Sequence, residues 1–312
     1  RTVIRDQTDR NLRAFNIGRK IVLRPDLFVV ELKHEFESAR QALRRRLNMI
    51  RSRYRGNRGK RLAKQFRVLM KQTFRATHGQ RMDDPLLRDV VVRAYDCFVW
   101  GGIEYAKRYC HRLVDVFMKD MAQENYAVTR SVVWNLAKVL LIKDELYVAA
   151  MVTSPEKYKR DRLRYNVNPA LGDKMTYSHY NVPEIELFGR TFRLPPIKTS
   201  DWQHRILRNA RFLRPLLFPH TRETDFRNWF ESVVDLFEPR DRADYQRWLA
   251  ILSAPEQITG FREVRYPKME AARRRIERLL AIDPTTFQPA NEPGTTPSED
   301  RTISLPVVTT GV

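Results

Sequence analysis

The chain has 312 residues, 42% of them apolar, enough to bury a sizeable core in one large domain or two ordinary ones and too many for a wholly disordered chain. Its 58 Lys and Arg against 37 Asp and Glu give a net charge of +21, so an anionic partner or surface is expected, although net charge says nothing about fold. Two cysteines, Cys97 and Cys110, are too few for a disulfide framework, a zinc ribbon or an iron–sulfur site supplied by this chain alone, and a reduced, cytoplasmic setting is the simplest reading.

The longest apolar runs, such as Val139–Ile142, stop far short of the roughly 20 residues a spanning helix needs, and no signal-peptide pattern opens the chain. A soluble protein with no membrane partner is expected. Arg1 in place of Met points to a chain processed or cut from something longer.

The charge is concentrated. Residues 1–82 hold 23 Lys and Arg against six acids, +17 of the total +21, and Ser38–Arg81 contains 15 basic residues and no Asp or Glu. That run is too long for an ordinary solvated helix face. Within it Phe36, Leu43, Leu47, Ile50 and Tyr54 recur at helical spacing, a Gly56-Asn57-Arg58-Gly59 break follows, and Leu62, Phe66, Leu69 and Phe74 resume the pattern. Two amphipathic helices folded into a basic hairpin are predicted. The candidate contacts to an anionic partner are Arg44, Arg45, Arg46, Arg51, Arg53, Arg55, Lys60, Arg61 and Lys64. Phe36, Tyr54, Phe66 and Phe74 could stack on exposed bases, but their spacing argues more simply for the core of the hairpin.

Asp83-Asp84-Pro85 announces a new helix with the stripe Leu87, Val91, Ala94 and Phe98. Gly101-Gly102 interrupts it, and Tyr105, Tyr109, Leu113, Val116 and Phe117 continue on a second helix. A third long helix is predicted from about Thr129 to Met151, which would let Asn135 and Lys143, two turns apart, share a face. Residues 155–201 lose the helical period, and their prolines with the 185–194 run around Gly189 predict an extended excursion holding a small β-hairpin. Helices return at 203–217, 223–237, 242–252 and 268–281. The last residues, rich in Pro, Thr and Ser, lack the apolar content to fold alone.

Chemical motifs are scarce. The six histidines are scattered with no His-Glu-x-x-His, and Cys110 and His111, as neighbours on a helix, point in different directions. With only 11 Gly there is neither GxGxxG nor GxxxxGK[ST], and no GxSxG elbow occurs. Lys143-Asp144-Glu145 with Asn135 is the one polar cluster on an apolar stretch, read as helix-to-helix glue. No catalytic, metal or cofactor-binding residue is assigned.

From Val132 onward the chain resembles the C-terminal region of indolepyruvate ferredoxin oxidoreductases, long fused 2-oxoacid oxidoreductases of bacteria. Four blocks carry the likeness: Asn135-Leu136, Lys138, Lys143-Asp144-Glu145 and Val148-Ala149; Leu163-Arg164-Tyr165 with Asn168-Pro169; Phe218, Thr221 and Glu223; and Pro255-Glu256, Ile258, Gly260-Phe261 and Val264. Upstream, Asn11-Leu12-Arg13-Ala14-Phe15 with Gly18-Arg19 resembles the last helix of that family's γ-type domain. The likeness covers about residues 83–281.

The resemblance implies a subunit or C-terminal piece of an enzyme that decarboxylates aryl pyruvates on thiamine diphosphate, makes an acyl-CoA and passes electrons through iron–sulfur clusters to ferredoxin. The family's Gly-Asp-Gly…Asn motif and cysteine clusters are absent here, so those cofactors would sit on other domains and this chain would bind none. The basic hairpin stands outside the resemblance, and ferredoxins are acidic, so an acidic redox partner or an acidic face of another subunit is its expected contact, with nucleic acid as the alternative.

The expected fold is mainly α, a bundle-like multi-helix domain. Residues 1–19 would be the end of a γ-type domain or a linker, 20–82 the basic helical hairpin, 83–281 the helical domain with its small β-hairpin, and 282–312 a flexible tail.

Overall fold

In a computed structural model of the chain, the residues described are 12, 15, 16, 19, 37–54, 56–77, 82–181, 184–187, 190–193, 195–210, 214 and 220–282. The chain divides into two units, residues 1–37 and 38–312, and the second holds the apolar core. Phe36, Arg55 and the expected tail beyond residue 282 lie outside the described residues.

Ser38 starts the first helix. Its hydroxyl accepts from the Gln41 amide at 3.2 Å while the Gln41 side chain accepts from the Ser38 amide at 2.8 Å, a reciprocal cap on α1 (Ala39–Arg53). Gly56, at φ +64, opens α2 (Gly56–Thr77), so Asn57–Gly59, placed in the predicted break, are already helical. Leu47, Ile50, Phe66 and Leu69 turn inward as predicted; Leu43, Leu62 and Phe74 sit at the margin. Phe66 meets the rings of Tyr95 and Phe98 edge-on at 6.3 and 5.8 Å, which locks the hairpin onto the next helix.

That helix, α3 (Asp84–Gly101), begins as its sequence signals say, with the Asp83 carboxylate accepting from the Leu86 amide at 3.0 Å and Pro85 in the first turn. α4 (Ile103–Lys119) follows after Gly102. Because α3 packs against α1, α4 and a fifth helix, Leu86 and Val90 are buried as well as the predicted Val91, Ala94 and Phe98.

The long helix predicted over 129–151 is two helices. α5 (Ala127–Leu140) stops, residues 141–144 are irregular, and α6 (Glu145–Val152) starts again under Asp144, whose carboxylate accepts from the Tyr147 amide at 2.7 Å. The break is tolerated because carbonyls it exposes gain side-chain donors: the Tyr105 hydroxyl donates to Leu140 O at 2.7 Å and the Trp100 indole to Ile142 O at 2.9 Å. Lys143 therefore lies beyond the end of α5, exposed, and shares no helix face with Asn135. Asn135 instead donates to Ser131 Oγ at 2.9 Å and Leu252 O at 3.1 Å, the structural role expected of it.

The region read as extended from residue 155 also opens on a helix, α7 (Pro155–Arg164), capped by Ser154. It carries no apolar stripe, Asp161 being its one buried residue, which is why periodicity passes over it. β1 (Ser178–Asn181) then pairs antiparallel with β4 (Ile197–Ser200), Ser178 opposite Ser200, and brackets the predicted hairpin of β2 (Glu184–Leu187) and β3 (Arg190–Arg193), with Leu187 opposite Arg190. α8 (Asp201–Leu207), α9 (Thr221–Asp235), α10 (Arg242–Ser253) and α11 (Tyr266–Ala281) complete the mainly helical fold.

One apolar cluster runs from Ala42 on α1 to Leu279 on α11, so the basic hairpin shares its core with the helices that follow. Two buried carboxylates staple its polar seams. Asp120 accepts from the Thr129 amide and hydroxyl at 2.7 and 2.6 Å and from the Tyr245 hydroxyl at 2.8 Å, joining α4, α5 and α10. Glu231, 1% exposed, pairs with Arg108 and, at 3.1 Å, with Arg112, joining α9 to α4. Among the described residues no helix is long and apolar enough to cross a membrane.

Candidate functional site

The basic hairpin holds no Asp or Glu between Ala39 and Thr77, and its exposed positions carry many cations, interspersed with uncharged residues such as Gln41, Asn48, Gln65 and Val68. Of the nine candidate contacts, Arg44, Arg45, Arg51, Lys60, Arg61 and Lys64 are exposed, as are Arg40, Arg58, Arg67, Lys71 and Arg75 beside them. Arg46 and Arg53 are not on that face. Arg46 is 8% exposed and lies over the Tyr95 ring at 5.7 Å; it falls at i+4 from Ala42 and i−4 from Ile50, on the buried stripe, a phase legible in the sequence. Arg53 is half-buried with its guanidinium over Tyr54 at 5.8 Å, and burial pushes its pKa down. Phe66 is fully buried and Tyr54 and Phe74 are half-buried against the core, so these rings pack the hairpin, as their spacing suggests.

A second centre gathers residues from three separate segments. Glu145, on the first turn of α6, accepts from Arg262 Nη2 at 2.6 Å through one oxygen and lies 3.3 Å from His220 Nε2 through the other. His220 Nδ1 is 3.9 Å from Glu223, and neighbouring Asp144 pairs with Arg214 Nε at 2.5 Å. Arg214 in turn donates to Trp100 O at 2.8 Å and lies 3.8 Å over the indole.

Both partners of Glu145 stand in the left-handed backbone region, His220 at φ +45 and Arg262 at φ +46, a conformation costing about 1–3 kcal/mol for a side-chain-bearing residue unless its surroundings impose it. Here one carboxylate holds both. Burial alone would lower the His220 pKa, but the hydrogen bond and charge of Glu145, helped by Glu223, outweigh it and raise it. Burial lifts the Glu223 carboxyl above its usual range against the pull of His220 and Arg265. Sequence reasoning named Asp144, Glu145 and Glu223 but missed His220 and Arg262 as their partners, because no local spacing links residues so far apart in the chain.

An imidazole between two carboxylates can relay a proton, yet this one is enclosed. The side chains of Glu145, His220 and Glu223 are 17%, 11% and 7% exposed, and three clefts of about 600, 520 and 250 Å³ are lined by other residues. The arrangement works as a clasp joining the start of α6, the start of α9 and the approach to α11.

Among the described residues no three His, Cys, Asp or Glu side chains converge to hold a metal. Cys97 and Cys110 are free and buried, and burial pushes their thiols up, that of Cys110 to about 12, so neither is an activated nucleophile or an available cluster ligand.

The blocks 135–149, 221–223 and 255–264, far apart in sequence, all reach this clasp or the α5 surface beside it: Lys138 Nζ donates to Glu256 O at 2.7 Å, and Arg265 Nη2 donates back to Lys138 O at 3.4 Å. No curated protein and no solved structure matches the chain. A family described as one of unknown function (DUF6537) matches residues 86–278, well over half of the chain, from the first turn of α3 to the last turn of α11, and the chain belongs to that family.

Proposed function

We propose that the chain is a non-catalytic, cytoplasmic helical domain or subunit of an indolepyruvate-type 2-oxoacid:ferredoxin oxidoreductase, and that the outer face of its α1–α2 hairpin docks an acidic protein. The link to that enzyme rests on the ordered residue blocks that begin at Asn135 and end at Val264, and ferredoxin or an acidic face of a catalytic subunit is the expected occupant. Thiamine diphosphate and iron–sulfur clusters would belong to the catalytic domains.

The observation that carries the docking reading is the acid-free face itself, with six of the nine candidate contacts exposed on a hairpin anchored from behind by Phe66 and Arg46. Such a face raises encounter rates with an anionic partner by about 10- to 1,000-fold at low salt and loses that advantage once the Debye length falls to about 8 Å. Nucleic acid is the other class of anion it would take. The inward-turned aromatic rings favour the protein reading, since a single-strand binder uses such rings as stacking platforms.

The test is the triple reversal Arg44→Glu, Arg45→Glu, Arg61→Glu in the assembled enzyme. If the face receives the electron acceptor, ferredoxin reduction slows at least tenfold at low salt while the complex stays whole; if it clamps a subunit, the complex dissociates. Unchanged reduction and an intact complex would refute the docking role.

A further inference from the structure

The exposed cations of α2 are ordered along the helix. Arg61, Lys64, Lys71 and Arg75, with the exposed Val68 in their midst, follow one another at spacings of three, four, three and four residues. At 3.6 residues per turn that spacing keeps all five on one straight stripe, about 21 Å long at 1.5 Å per residue. The stripe stands opposite the buried positions Ala63, Phe66, Met70, Thr73 and Thr77, so the whole of it points away from the core.

Several surface cations on other helices have an acid one turn away: Lys107 pairs with Glu104 at 2.8 Å, Arg205 with Asp201 at 2.9 Å and Arg273 with Glu277 at 2.8 Å. On α2 the residues one turn from each stripe cation are other cations or uncharged, and like charges at that spacing repel. Carboxylates from another molecule would relieve the repulsion. Val68 separates the anions that could supply the charge. An exposed aliphatic side chain in mid-stripe offers nothing to a phosphate, whereas an apolar position between charged ones is the ordinary contact of a helix pair. A spacing of three and four is also the one at which a second helix presents its own side chains along a face.

Resting on the reading that the hairpin docks an acidic protein, we propose that the docked element is an α-helix lying along α2. Its carboxylates face Arg61, Lys64, Lys71 and Arg75, and an apolar side chain covers Val68.

The test is binding of fluorescent, cross-linked helical peptides to the full chain, followed by anisotropy at low salt. One peptide carries glutamates at three- and four-residue spacing on one face with a leucine among them; the other has the same composition with its glutamates spread around the helix. The patterned peptide should bind at least about tenfold more tightly. Its advantage should vanish in Lys64→Glu/Lys71→Glu and in Val68→Asp, and survive in Arg40→Glu/Arg44→Glu, which changes the net charge of the chain equally but on α1. The α2 variant should fold, because each substituted position has cations three or four residues away, Arg61 and Arg67 around position 64 and Arg67 and Arg75 around position 71. Equal binding of the two peptides, with both lost in Arg44→Glu/Arg45→Glu/Arg61→Glu, overturns the helix inference and leaves the docking reading standing, as does a preference lost equally in the α1 variant. No binding of either peptide, or a tighter hold on a DNA duplex of the same charge, overturns both.

Discussion

Replacing Glu145 by Ala removes one carboxylate from an arginine and a histidine. Arg262, its side chain 5% exposed, loses a 2.6 Å hydrogen-bonded pair, and His220 loses its nearer acid. Breaking a buried pair by deleting one member costs about 3–5 kcal/mol, and the partial exposure of Glu145, 17%, places this case near 3. The constraint holding His220 and Arg262 in left-handed conformations is lost with it. For a unit of this size each kcal/mol moves Tm by about 2–4 °C, so a fall of roughly 6–12 °C is expected in a thermal melt. A double-mutant cycle of Glu145→Ala with Arg262→Ala should show coupling of about 1–3 kcal/mol. A total loss below about 1 kcal/mol, or strict additivity, would mean that the contact behaves like an ordinary surface ion pair and that the clasp is not what joins these segments.

Other outcomes follow from the same geometry. His220 has its pKa raised in the folded state, so its contribution is complete below the unfolded value near 6.5 and is lost as pH rises through the folded value; the stability gap between the native chain and His220→Gln should therefore shrink on going from pH 6 to pH 8 in denaturant titrations. Gly260→Ala should destabilise more than Gly56→Ala: both sit at positive φ, but a Cβ on Gly260 would meet Val264 Cγ1 at 2.6 Å while one on Gly56 meets nothing within 4 Å, and chemical denaturation should separate them by about 1 kcal/mol or more. Cys97 and Cys110 should resist thiol reagents at pH 8 in the folded protein and react promptly once it is unfolded, as a colorimetric thiol assay would show.

The elements legible in the sequence were those written locally. Asp83 and Pro85 announce α3, and the spacing of Leu47, Ile50, Phe66 and Leu69 gives the hairpin its two helices. The split between α5 and α6 was not legible, because the donors that satisfy its carbonyls, Trp100 and Tyr105, lie some forty residues upstream. α7 escaped a search based on apolar period since its face is polar almost all round, although Ser154 and Pro155 carried a start signal of the ordinary kind. The basic face was read from charge alone, which cannot tell Arg44 from Arg46; helix phase can, and it moves Arg46 inside. The clasp on Glu145 depends on chain crossings that only the fold supplies.

On the proposed reading this chain serves an oxidoreductase by offering a basic docking face. The most direct measurement is to draw the chain from its own cells at low salt and determine the mass, iron, thiamine diphosphate and nucleic acid content of what accompanies it. On that reading iron and thiamine diphosphate come with the chain in stoichiometric amount, and retention of the acidic partner falls in the Arg44, Arg45 and Arg61 reversals. Nucleic acid with neither cofactor, bound with an affinity falling by several units of slope against log salt, would contradict it.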